Sequence, residues 1–166
     1  MVPRINVIGS QKLKVPKDLI IKSSELLFLF LNHCKQKNED APLEFTIVFV
    51  TDNKIKEYNY RYRNKNVSTD VLSFCAEKEN MLIDTGSFIS EDAKYLGDIL
   101  ISPKVVMDNS IRFNVDYKEE LIRTVVHGIL HLLGYDHLAY LGEGKDEFFK
   151  LQEDFIIYAR KQGLIQ

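Results

Sequence analysis

The segment His127-Gly128-Ile129-Leu130-His131-Leu132-Leu133-Gly134-Tyr135-Asp136-His137 gathers three of the chain's four histidines into one short stretch. Residues four apart stack on one helix face, so His127 and His131 aim their imidazoles at a common point. Gly134 stops the helix and turns the chain back, which lets His137 arrive from the loop as a third ligand. Three protein nitrogens leave a tetrahedral zinc ion one open position, the mark of a catalytic rather than a structural site. Zinc is expected over iron because no carboxylate completes a facial triad, although nickel or cobalt also suits imidazole. Any one of these histidines alone reads as a helix cap or a satisfied core group. Two imidazoles in an apolar helix, however, each need a buried partner, and a shared metal supplies it to both. Asp136 fits either a hydrogen bond to a ligating imidazole or an ordinary turn.

The same spacing, His-x3-His-x5-His with an intervening glycine, is that of the metzincin proteases. There a Glu directly after the first histidine is the general base. This chain has Gly128 instead, and no methionine follows Met107 to form a downstream Met-turn. The metal spacing is retained and the peptidase base is not, so a protease is disfavoured.

A second chemical feature is the segment Lys54–Lys65, where Lys54, Lys56, Arg61, Arg63 and Lys65 interleave with Tyr58, Tyr60 and Tyr62. Basic groups neutralise phosphates and tyrosines can stack on unpaired bases, which makes Arg61 and Lys65 substrate-binding candidates. The plainer reading is an amphipathic helix, with Ile55, Tyr58 and Tyr62 inward and the lysines wet. The tyrosines are expected mostly in the core. By composition alone, Arg63 would be a solvated or ion-paired surface arginine. His33 and the two cysteines, Cys34 and Cys75, stand in no ligand spacing and are expected to be structural.

These groups need a scaffold. Arg4–Ile8 alternates as a short edge strand. Pro16 opens a long helix whose buried face carries Leu19, Ile20, Leu26, Leu27, Phe30 and Leu31. Glu44–Val50 is rich in β-branched and aromatic residues and predicts a central strand. Thr51 or Asp52 caps a helix running to about Arg63. Asp70–Cys75 and Leu96–Ser102 predict further strands, and Ser102-Pro103 starts a helix through about Arg112. Asp116 and Glu119 have capping-box spacing ahead of the histidine helix. That helix is apolar on nearly every side from Leu121 to Leu133, as a core helix should be. A final amphipathic helix spans about 145–161, and the polar stretch 77–91 reads as an excursion loop. The expectation is a single α+β (α/β) domain over residues 1–166, a small mixed sheet of about four strands with about five helices and a central metal-binding helix.

Composition sets the outer bounds. With 22 Lys+Arg against 24 Asp+Glu the net charge is −2, which excludes a polybasic nucleic-acid coat but not a local basic groove. At 45% hydrophobic and 28% charged residues the chain is ordinary globular material. Two cysteines cannot build a disulfide framework or an all-cysteine zinc site. The first fifteen residues lack the apolar core of a signal peptide, and the run Leu26–Leu31 is far too short to span a bilayer. A cytoplasmic protein is expected.

His127–His137 resembles, over its whole length, the His-Gly-x-Leu-His-Leu-x-Gly-Tyr-Asp-His signature of the YbeY family of bacterial endoribonucleases. Asn59-Tyr60-Arg61-Tyr62-Arg63-Asn64-Lys65, Thr69-Asp70-Val71-Leu72-Ser73-Phe74 and Gly97-Asp98-Ile99 resemble further blocks of that family, in the same order. The resemblance runs from about residue 45 to the C-terminus. It implies a zinc-dependent, single-strand-specific endoribonuclease acting in ribosomal RNA maturation, including the 3′ end of the small-subunit RNA, and in ribosome quality control. It implies His127, His131 and His137 as ligands of one zinc ion, and Arg63 as the functionally important arginine. A guanidinium there suits two non-bridging phosphate oxygens. It also implies single-stranded RNA and the ribosome or small-subunit assembly proteins as partners. Two departures stand out: Leu138–Lys145 replaces an acidic run, with Phe148 or Phe149 near the family's methionine, and Asn66 stands where Asp is frequent. The rival readings are another metallohydrolase and a non-enzymatic assembly factor whose metal is structural.

Overall fold

The computed structural model describes residues 3–9, 15–34, 42–76, 90, 92–135 and 143–166. Side chains at 32–34 and 143–146 are outside that description, as are His137, Asp136 and nearly all of the expected loop 77–91. Four strands, β1 (Arg4–Gly9), β2 (Leu43–Phe49), β3 (Val71–Cys75) and β4 (Lys94–Ile101), form one sheet in the order β1-β2-β4-β3. β1 and β4 run parallel to β2, and β3 runs antiparallel to β4. The helices are α1 (Lys17–Cys34), α2 (Asp52–Arg63), α3 (Pro103–Phe113), α4 (Tyr117–Leu132) and α5 (Glu143–Lys161). Among the described residues the expected mixed four-stranded α+β fold forms, with five helices.

Period-two alternation divides the sheet's burial between two faces. Phe45, Ile47, Phe49, Ile99 and Ile101 enter the main core with α1, α4 and α5, whereas Val48, Leu72, Phe74 and Leu100 meet Ile55 of α2 on the other side. α4 is the keystone: Leu121, Ile122, Val125, Val126, Ile129 and Leu130 are all completely buried. At roughly 25 cal/mol per Å² of apolar surface, each such side chain contributes about 1.5–3 kcal/mol, so burial rather than propensity holds this helix.

Local signals place the ends. Thr51 is the cap of α2, accepting from the Lys54 N–H at 3.3 Å. Ser102 leaves the sheet by donating its N–H to the Asp70 carbonyl, then caps α3 by accepting from Val105 N–H at 3.4 Å. β4 therefore stops at Ile101, one residue before its expected end, and begins at Lys94, two residues before its expected start. The early start accommodates a bulge at Leu96, where Glu44 pairs with Tyr95 but Phe45 pairs with Gly97. Gly97 has φ +136°, and a Cβ there would lie 2.0 Å from the Phe74 carbonyl oxygen, so only glycine permits β3 to close on β4.

The capping box expected at Asp116 forms only in half. Asp116 caps α4 by accepting from Lys118 N–H at 2.8 Å. Glu119 does not reach back to it. Its buried carboxylate instead receives Arg123 at 3.1 Å and Arg160 of α5 at 2.6 Å. Tertiary ion pairing wins because two guanidiniums satisfy a desolvated carboxylate better than one backbone N–H.

Candidate active site

His127 and His131 sit on the half-buried stripe of α4, and their Nε2 atoms lie 3.2 Å apart. The rings are inclined at 70° with centroids 4.8 Å apart, so the two nitrogens converge while the rings diverge. Two nitrogens held about 2.0–2.1 Å from a tetrahedral ion would stand about 3.3 Å apart. The observed separation therefore fits two ligands of one zinc ion. Among the described residues, no third His, Cys, Asp or Glu completes a ligand group. The expected third ligand, His137, and its neighbour Asp136 lie outside the described residues.

Helix termination immediately follows the pair. Tyr135 N–H donates to Leu130 O and Gly134 N–H to His131 O, both at 3.0 Å, and Gly134 adopts φ +85°. This is a Schellman closure, and the left-handed turn it needs is why a glycine stands three residues after His131.

Two residues from α5 complete the surroundings, and neither figured in the spacing argument. Gln152, 5% exposed, places its Oε1 3.1 Å from His127 Nδ1. Phe148, one turn earlier and 1% exposed, packs its ring 5.0 Å from the centroids of both imidazoles. Only their i, i+4 relation on an amphipathic helix hinted that they would share a face with the core. Phe149 points outward instead, at 38% exposure. α5 is tied to α4 by Arg160–Glu119 and by Arg123, which reaches both Glu119 and Glu153.

The residue after the first histidine has its own geometry. A Cβ on Gly128 would lie 2.7 Å from Ile99 Cγ2, because α4 crosses β4 at backbone range. The position that carries the protease base thus faces the sheet, and a glutamate side chain has no room there. Ser73 of β3 donates to the Gly128 carbonyl at 3.4 Å on the same side.

β3 brings the basic helix to this end of the domain. On one face of that strand, Phe74 meets Tyr62 at 5.2 Å in an edge-on contact. Ser73, on the other face, meets α4 beside His127. The C-terminal end of α2 and the turn of α4 that follows His127 therefore meet opposite faces of the same segment of one edge strand. Arg63 is the last residue of α2, exposed, with no ion pair or hydrogen bond among the described residues. Arg61 differs: it is paired with Glu57 at 3.2 Å, and Lys54 meets the same carboxylate at 3.0 Å. Lys65 lies exposed just beyond, in a loop pinned by the buried Asn59. Asn59 donates from Nδ2 to Val67 O at 2.8 Å and accepts Lys65 N–H on its own carbonyl at 3.2 Å. Asn64 makes the necessary left-handed turn at φ +56°. Tyr58 and Tyr62 stack on each other and pack edge-on against Phe74, as core readings require; Tyr60, at 61% exposure, does not.

Further down the same α4 stripe, Glu120 is buried below Thr124. Burial pushes its carboxyl above the usual carboxylate range, Arg123 pulls it back, and the nearby charges of Asp70 and Glu119 add to the rise. Asp70 itself accepts Val71 N–H and the Thr69 hydroxyl, each at 3.0 Å, and so opens β3.

The four-stranded mixed sheet with helices packed on both faces makes the chain an α+β protein, and its central helix carries two converging ring nitrogens. The model of the family described as endoribonuclease YbeY matches residues 9–158. The chain is 37% identical over 142 residues to endoribonuclease YbeY of Thermodesulfovibrio yellowstonii, covering 80% of this chain and 83% of that one. It is 34% identical over 140 residues to endoribonuclease YbeY of Staphylococcus aureus, with 84% and 86% covered. The solution structure of TM1509 from Thermotoga maritima superposes with a TM-score of 0.56 at 28% identity, over 92% of this chain and 86% of that one. This chain belongs to the YbeY family of endoribonucleases, nucleases that act on phosphodiester bonds. No helix among the described residues is long and apolar enough to cross a membrane.

Proposed function

We propose that this chain is a zinc-dependent, single-strand-specific endoribonuclease of ribosomal RNA maturation, including processing at the 3′ end of the small-subunit RNA, and of ribosome quality control. The observation that carries the metal reading is the 3.2 Å approach of the two Nε2 atoms. His127, His131 and, from the loop beyond Gly134, His137 would hold one zinc ion; nickel or cobalt could replace it. Bound there, zinc supplies Lewis-acid polarisation and lowers the pKa of water.

The chain's own residues do the rest. Arg63 binds the non-bridging oxygens of the scissile phosphate and stabilises the charge that builds on them as the nucleophile attacks. Its freedom from ion pairs among the described residues suits it to this role. Lys65 and, after release from Glu57, Arg61 bind flanking phosphates. Phe148 shields one side of the imidazole pair from water, and Asp136 would accept a hydrogen bond from a ligating imidazole. Either water or the neighbouring 2′-hydroxyl is the nucleophile, and the chemistry of the product ends distinguishes them. With a net charge of −2, the protein attracts free RNA weakly, so the ribosome or small-subunit assembly proteins direct it, in the cytoplasm.

Purified protein incubated with single-stranded RNA and with a peptide library, with and without chelator, tests this. RNA cleavage that chelator stops and zinc restores is the expected result. Cleavage of peptides alone, or RNA cleavage indifferent to metal, would overturn it.

A further inference from the structure

We propose that Gln152 is a positioning residue: its side-chain carbonyl fixes His127 in the Nδ1–H form, so that the Nε2 nitrogen facing His131 carries no proton. The inference rests on the metal-site reading above and extends it to α5.

A carboxamide oxygen can only accept, so with Gln152 Oε1 facing it at 3.1 Å the Nδ1 of His127 is assigned the proton. In a neutral imidazole the remaining nitrogen, Nε2, then carries a lone pair, and that nitrogen is the one 3.2 Å from His131 Nε2. The contact also sets the angle of the ring, because a near-linear N–H···O bond fixes rotation about the Cβ–Cγ bond. Gln152 has little freedom to drift. It is buried, its neighbour Phe148 is wedged against both imidazoles, and the adjacent Glu153 is held by Arg123 of α4. A long polar side chain in the core of an amphipathic helix carries desolvation and rotamer costs that an apolar residue would avoid. Presetting the tautomer of His127 explains why a carboxamide stands there.

The test uses the full chain with ¹⁵N-labelled histidine. Long-range ¹H–¹⁵N correlation of metal-free protein should report His127 as the Nδ1–H tautomer. Gln152→Leu, of similar bulk but without an acceptor, should lose that preference and bind zinc about 10- to 100-fold more weakly, at little cost in Tm. Gln152→Glu keeps an acceptor oxygen and should retain both. Wild-type His127 found as the Nε2–H form, or Gln152→Leu with unchanged tautomer and zinc affinity, would overturn the proposal. Should Gln152→Leu fail to fold, the wild-type tautomer and Gln152→Glu still decide. Should the wild type bind no zinc, the metal reading falls by itself, because the tautomer is read without metal.

Discussion

Gly128 and Ile99 touch across the α4–β4 interface at a distance that admits no side chain: a Cβ on Gly128 would stand 2.7 Å from Ile99 Cγ2. The consequence is both structural and catalytic. The helix that carries the histidines can approach the sheet only because this residue is bare, and the same closeness shuts out the carboxylate base of the related protease spacing.

Gly128→Ala should therefore destabilise the fold by about 1–3 kcal/mol, because the core must yield to an overpacked contact. Urea unfolding measures it. Combination with Ile99→Ala should cost less than the sum of the single changes, since the second removes the atoms that the first meets. Strict additivity would show that the contact is not the cause.

Replacing Arg63 by alanine should leave the melting temperature and bound metal unchanged while slowing RNA cleavage by about 100-fold or more, the usual scale for a lost charge-stabilising donor. Arg63→Lys should recover only part, because a point ammonium cannot grip two phosphate oxygens side by side. Wild-type rates in the alanine variant would remove Arg63 from the mechanism.

His131→Ala should purify with far less than the one zinc per chain expected of the wild type, and it should not cut RNA. Elemental analysis and a cleavage assay read the two effects separately. Full metal occupancy in this variant would place the site elsewhere.

Glu120 gives the pH prediction. Its carboxyl is raised in the folded state by burial, so the folded chain holds that proton more tightly than the unfolded one. Its contribution to stability is present below the unfolded pKa and is lost as pH rises through the higher folded pKa. Glu120→Gln, which does not titrate, should gain stability relative to wild type as pH is raised from about 4 to 8. Denaturant midpoints across that range check it; a constant difference between the two proteins would contradict the shift.

Much of the scaffold was legible because its signals are local. Thr51, Ser102 and Gly134 act at the helix ends where their side-chain chemistry or lack of a Cβ suggested, and β-branched and aromatic content marked β2. Glu119 shows where local reading stops. Its spacing to Asp116 satisfies a capping box, but the partner it takes, Arg160, is 41 residues away on another helix. The β4 bulge was likewise invisible, since what forces it is contact between Gly97 and the backbone of a neighbouring strand. Tyr60 alternates with two half-buried tyrosines yet faces solvent, because helix periodicity rather than sequence alternation decides exposure on α2.

The sequence by itself determined the imidazole pair, since a four-residue spacing on a helix fixes two side chains relative to one another without help from the rest of the chain. The tautomer-holding contact of Gln152, the aromatic wall of Phe148 and the placement of Arg63's helix end beside the same strand came only from tertiary structure. Those contacts join residues 12 to 25 positions apart by packing, and packing depends on which faces become buried together. Local spacing cannot encode that choice.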